Sequence, residues 1–529
     1  MNESHRLQGR PREVPLAGFL AGAFLSGYAR DLRPLAALPL APNPDLAPEA
    51  AFEEPPATSP RLSGALRGMA LFLLPLAFLS CAAGRPAGSP FPAPADGRAL
   101  PAGADNVAVA IAAALTPPLA VCPDRVWPGF PGREIQVLLV DFRGRRALLW
   151  NDLRDGFRGS PRITDIPFDG LPPLFTSGSE YQFGELYGKT TLGFAYDPKA
   201  DPSWSAEVVA HEAFHRYVEG EWQRAADDME RGIRYPEPWE PRYLRRELIR
   251  SLRDAADGKP GALAGAAAWQ ARLAEEFPES VRETRKVDVA EGTAEYAGVM
   301  AAAVAAAGCG AKESALIGAA AQRVGGRWES PDKEEESYAL GVFAGLSLRA
   351  RGAKGWEAAA ASGTPPAEFL LAGIHPADPA GDLDLAAETK REVAATNHAV
   401  LEKIEPFLSP PAGDEFLVAM PSAWMQGSFE TAGFVTLPAE GGADRRFVLD
   451  ITAAFVSPSY GSRLMLSGLT VETTGSPCGE GAFHVFPLPI GALREEPGGR
   501  GTIASMRVRG GNLAYDFVRR GGVVWLCVR

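Results

Sequence analysis

Two histidines four residues apart, with a glutamate directly after the first, carry the clearest chemistry in this chain: Asp201-Pro-Ser-Trp-Ser-Ala-Glu-Val-Val-Ala-His211-Glu212-Ala-Phe-His215. Asp201 can cap a helix and Pro202 can occupy its first position. On that helix Trp204, Val208, His211, His215, Val218 and Trp222 fall on one stripe at spacings of three and four. Both imidazoles then leave the same face one turn apart, as two ligands of one tetrahedral Zn2+ must. Glu212 points to the edge of such a metal, where a general base for zinc-bound water belongs. Imidazoles on an otherwise apolar stripe are costly to bury unless they coordinate or pair.

Catalytic zinc keeps three protein ligands and an open position, so a further ligand must come from elsewhere. The best candidate is Glu291 in Val287-Asp-Val-Ala-Glu291-Gly-Thr-Ala-Glu295-Tyr296. Glu295, one turn on, can accept the second ring N–H of a ligand histidine and fix its tautomer. Gly298 and Ala302 continue that stripe with side chains small enough to admit a neighbouring helix. Asp288, Glu283 and Asp227 are weaker alternatives as ligands. Tyr338, on a helix read at Ser337 to Gly345, could donate to a developing oxyanion, with an ordinary core tyrosine as the competing reading. His375, His398 and His484 have no partner spacing and read as surface or core residues.

H-E-x-x-H followed downstream by E-G-x-A-E-Y resembles the gluzincin metallopeptidases. The resemblance covers the two helices and implies that Glu291 is the third ligand. It also implies a zincin-like catalytic domain. Glu291 lies 76 residues beyond His215, a wider gap than in the thermolysin-like and aminopeptidase groups, and no subfamily is assigned. The insertion holds candidate helices at Arg242 to Asp254 and Leu263 to Glu276. The implied reaction is hydrolysis of a peptide or protein substrate, with Glu212 taking the water's proton and passing it to the leaving amine. Two other readings stand beside it: an envelope-binding lipoprotein that keeps the helical scaffold without turnover, and a hydrolase of a non-peptide amide that uses the same residues.

The chain's 529 residues allow more than one domain. A net charge of -12 argues against nucleic acid, whose phosphates call for a basic face. No C-x-x-C pair, nucleophile elbow, Walker loop or dinucleotide fingerprint is present. Cysteines stand at 81, 122, 309, 478 and 527. Cys478 with Cys527 is the expected disulfide, because both fall in one β-rich region, and Cys122 with Cys309 would then be the second.

Arg67 to Cys81 has one basic residue, a short apolar core and small residues around a cysteine, the build of a secretory signal too short to span a bilayer. It resembles a bacterial lipoprotein signal, implying a lipid anchor at Cys81 and export to the cell envelope, with plain secretion as the alternative. We therefore read 1–61 as an unstructured or mis-annotated extension, with translation starting near Leu62 or Leu66, and 62–81 as the signal. Residues 82–118, dense in Pro, Ala and Gly, read as a tether.

Folding is expected from residue 119. Ile135 to Asp141, Ala147 to Trp150 and Lys189 to Tyr196 read as strands of a small β-sheet subdomain over 119–200. The strand at Thr190 to Ala195 would lie at the sheet's edge and take up an extended peptide by β-addition. A mainly helical zinc-binding domain over 201–408 follows, and six β-rich runs suggest an antiparallel β domain over 409–529. That last domain could bind substrate or brace the catalytic region. The expected class is α+β.

Overall fold

The computed structural model describes residues 106–529 apart from 177–179, 198, 200, 223–231, 329–330, 332, 378, 409–414, 431–432, 439–444, 458–462, 497–499, 506–507 and 521–522. The signal-like segment with Cys81, the stretch before it, residues 82–105 and Asp227 lie outside the described residues. The fold is mixed α+β, a helical middle flanked by two sheets.

Helix α1 (Asn106–Leu115) opens the described chain, inside the stretch read as a tether. Its Ile111, Ala112 and Leu115 are buried. The composition misled here because alanine, grouped with Pro and Gly in a tether, is also the strongest helix former. A wider π-helical turn at Thr116–Val121, carrying Pro117 and Pro118, follows α1.

Strands β1 (Gln136–Asp141), β2 (Arg146–Trp150), β3 (Ile163–Pro167), β4 (Tyr181–Leu186) and β5 (Lys189–Ala195) form a sheet in the order β3-β2-β1-β5-β4. β1 and β5 run parallel, and the other neighbours are antiparallel. β1 is buried on both faces: Val137 and Leu139 meet the helical core, Leu138 and Val140 a smaller cluster around Phe175. β5 lies between β1 and β4, so the expectation that Thr190 to Ala195 forms the edge is corrected. Both sides of its backbone are taken up by ladder bonds, and the outer strand is β4.

The helical region comprises α2 (Pro202–Tyr217), a short strand β6 (Gly232–Arg234), α3 (Trp239–Ala256), α4 (Ala262–Glu276), α5 (Pro278–Ala307), α6 (Glu313–Val324), α7 (Lys333–Ala350), α8 (Trp356–Ala361), α9 (Pro366–Leu371) and α10 (Leu383–Leu408). α5 is central, against α2 on one side and α7 on another. Missing side chains set these approaches. A Cβ on Gly298 would lie 2.8 Å from the Glu207 carbonyl oxygen, and one on Gly341 would lie 2.2 Å from Gly292 Cα. The small residue read at 298 admits α2 itself.

The second sheet contains β7 (Glu415–Pro421), β8 (Met425–Glu430), β9 (Gly433–Leu437), β10 (Arg445–Val456), β11 (Arg463–Ser476), β12 (Gly479–Pro489), β13 (Leu493–Glu496), β14 (Arg500–Ala504), β15 (Val508–Arg520) and β16 (Val523–Val528). Most pairings are antiparallel, but β16 runs parallel to β7, and β6 joins β9 in parallel. The expected antiparallel β domain is thus present, with these two parallel contacts added, and the helical region lends it a strand. α10 closes one face, where Val400 and Ile404 pack with Val435, Phe447 and Leu449. Disulfides join Cys122 to Cys309 and Cys478 to Cys527.

Candidate metal centre

Asp201 accepts the backbone N–H of Ser203 at 3.0 Å, and Pro202 begins α2, so this helix starts where its capping residues dictate. It ends at Tyr217, so Val218 and Trp222 of the proposed stripe lie beyond it, around a 3₁₀ turn at Glu219–Glu221. His211 and His215, one turn apart, bring their Nε2 atoms within 3.0 Å of each other. Oε2 of Glu291, on α5, lies 3.4 Å from each of them. Three ligand atoms on a tetrahedral zinc at about 2.1 Å would be separated by about 3.4 Å, so these donors fit that ion in number, kind and spacing.

The far nitrogens of both rings are held by carboxylates. Nδ1 of His211 donates to Glu295 Oε2 at 2.9 Å, and Nδ1 of His215 donates to Glu219 Oε2 at 2.7 Å. A carboxylate only accepts, so each ring carries its proton on Nδ1 and turns Nε2 toward Glu291. Thr293 Oγ1 lies 3.1 Å from Glu219 Oε1, joining the turn after α2 to α5. Glu295 Oε1 faces Arg327 Nη2 at 3.0 Å. Glu291 and Glu295 are buried between the two helices, while His215 and Glu212 are only partly covered.

This crowding of acids sets the charge. Burial opposes protonation of His211, but hydrogen bonds with Glu291 and Glu295 outweigh it and hold the pKa well above the ordinary value. Burial likewise opposes protonation of His215, and the bonds with Glu219 and Glu291 push its pKa up to about 9. Burial alone would raise Glu295, whereas the His211 hydrogen bond and the Arg327 charge bring it below the usual range. The acids around both imidazoles thus favour positive charge at this point.

Glu212 Oε1 stands 4.0 Å from His211 Nε2, at the rim of the donor group. The ring of Tyr338, on α7, lies 5.8 Å from that of His211 at 89°. Among the weaker ligand candidates, Asp288 is held by Arg245 at 2.7 Å and Ser337 Oγ at 2.7 Å, and Glu283 faces Arg234 at the surface. His375 and His398 are exposed, and His484 is buried in the second sheet.

Glu219, Thr293, Arg327 and Glu207 were not singled out in the sequence. For Glu219 a signal existed, since it stands four residues after His215. Comparison with protein-family models, with characterised proteins and with solved structures finds no match to this chain.

Proposed function

We propose that this protein is a zinc-dependent hydrolase of peptide bonds, of gluzincin type with a zincin-like catalytic region, acting in the cell envelope or outside the cell. What carries the reading is the convergence of His211 Nε2, His215 Nε2 and Glu291 Oε2, with Glu212 at the rim. His211, His215 and Glu291 would hold Zn2+, which when bound polarises a carbonyl and acidifies a neighbouring water. Glu212 takes the proton of the attacking water and delivers it to the leaving amine. Glu295 and Glu219 would keep the two rings oriented, and Tyr338, whose ring lies 5.8 Å from that of His211, would donate to the oxyanion. An extended peptide would add along β4, the outer strand, whose Phe183 ring centroid lies 6.4 Å from that of Tyr217 at the end of α2.

Two disulfides support an oxidising compartment, and the signal-like segment ending at Cys81 supports a lipid anchor. Among the described residues no helix is long and apolar enough to cross a membrane. Metal analysis of the purified protein, combined with an unbiased peptide-library digest, tests the reading. One zinc per chain and chelator-sensitive cleavage are expected, with Glu212→Gln keeping the zinc and losing turnover. Stoichiometric zinc without cleavage of any peptide would point instead to a binding scaffold.

A further inference from the structure

A ladder of alternating charge runs from the start of α2 to the metal centre. Arg323, in the last turn of α6, donates through Nη1 to Asp201 Oδ2 at 3.2 Å and through Nε to Glu207 Oε2 at 2.7 Å. The other oxygen of Glu207 accepts from Arg327 Nη1. Arg327 Nη2 then reaches Glu295 Oε1 at 3.0 Å, and the remaining oxygen of Glu295 holds His211 Nδ1. Glu207 and Glu295 are both buried, yet they belong to different helices, α2 and α5. Their shared cation sits in the turn after α6, outside both helices that would bear the metal ligands.

We propose that Arg327 is a positioning residue for the metal centre, acting through Glu295 on His211. The last torsion of Glu295 is intrinsically broad, so its contacts set the carboxylate's orientation. The guanidinium of Arg327 spans two carboxylates at once, hydrogen-bonding Glu207 and drawing Oε1 of Glu295 into an ion pair, so that Oε2 meets Nδ1 of His211. That contact decides which ring nitrogen faces the metal. The guanidinium is itself braced, its central carbon 4.8 Å from the Trp328 ring centroid. A lysine, with one compact ammonium, cannot make the same bridge.

This inference rests on the metal-centre reading, and titration with zinc alone separates the two. Wild-type protein that takes up no zinc defeats the metal centre, whereas zinc bound equally by wild type and Arg327→Met defeats only the role of Arg327. Zinc affinity, measured by competition with a chromophoric chelator, should fall roughly 10 to 100-fold in Arg327→Met, the range for groups that orient metal ligands. The loss should largely disappear when Glu295→Gln is already present, because the arginine then has no route to His211. A loss of the same size in both backgrounds would overturn the proposal as merely structural. If Arg327→Met does not fold, Arg327→Lys enters the same cycle. It should lose affinity by a smaller factor that again depends on Glu295, and wild-type affinity in that variant overturns the proposal.

Discussion

His211 and His484 are both buried imidazoles, and their surroundings drive them in opposite directions. Around His211 stand two carboxylates that favour the charged ring over the penalty of burial. His484, on β12, has Thr470 Oγ1 at 3.2 Å and the Phe455 ring centroid at 5.5 Å. Burial first, and then the Arg446 charge, lower its pKa to about 4. Arg446 is itself paired with Glu472 at 3.0 Å. The helical region collects buried charges at the metal centre and again where Arg242 and Arg245 meet Glu336, whereas the second sheet holds this imidazole in its neutral form. Buried ions are expensive unless each is answered, and what sets the metal centre apart is that its carboxylates converge on two imidazoles rather than on arginines.

Removing Glu291 should break that contrast most severely. Glu291→Ala leaves two imidazoles without the third donor, and stoichiometric zinc binding and turnover should both be lost, even with excess zinc. Equilibrium dialysis with metal analysis checks it. Zinc content equal to wild type would show that Glu291 is no ligand.

How much of this could be read in the sequence depends on how locally each contact is encoded. His211, Glu212 and His215 share one helix, where four residues fix one turn, and Asp201-Pro202 announces its start. The Glu291 and Glu295 pair was legible for the same reason. Arg327 and Glu207 were not, because a buried acid's partner is chosen by packing between helices distant in sequence. The sheet edge was misjudged because Lys189–Ala195 has strong strand residues, while Tyr181–Leu186, interrupted by Gly184, gives a weak signal. β4 is held through its register with β5, which no local pattern reveals. The parallel contact of β6 with β9 joins residues about two hundred apart, and three residues carry no recognisable period.

The second sheet should depend on its covalent link where the metal centre does not. Cys478 and Cys527 are separated by 49 positions, and closing such a loop stabilises by roughly 4 kcal/mol in the chain-entropy model. In Cys478→Ser with Cys527→Ser, the unfolding midpoint of the sheet should fall while zinc affinity stays as in wild type. Loss of both together would show that the two regions unfold as one unit.

Acid should select between the regions as well. His484 has a folded pKa of about 4 against an ordinary value near 6.5, so the unfolded chain binds the proton more readily. Its contribution is complete above about pH 6.5 and is lost as pH falls toward 4, at about 1.4 kcal/mol per pH unit, roughly 3 kcal/mol in all. Denaturant melts of the sheet at pH 7 and pH 4.5 should show this, and His484→Gln should flatten the dependence across that window. A variant with the wild-type slope would place the sensitivity elsewhere.

The smallest effect is expected at Glu219, and it tests whether the acids of the helical region serve the metal or the fold. Glu219 touches no position that a metal would occupy. It orients His215 through Nδ1 and meets Thr293 of α5. In Glu219→Ala the ring keeps its place on α2 but loses the bond that selects its tautomer. Zinc affinity should therefore fall roughly 10 to 100-fold, the usual range for such a group. Turnover should return toward wild type when zinc is raised to saturation, because the ligands and Glu212 are intact. That recovery separates Glu219 from Glu291, whose loss no zinc concentration should repair. If Glu219→Ala instead unfolds while binding zinc as tightly as wild type until it melts, its carboxylate is a structural brace, and the contrast between the two regions loses one of its supports.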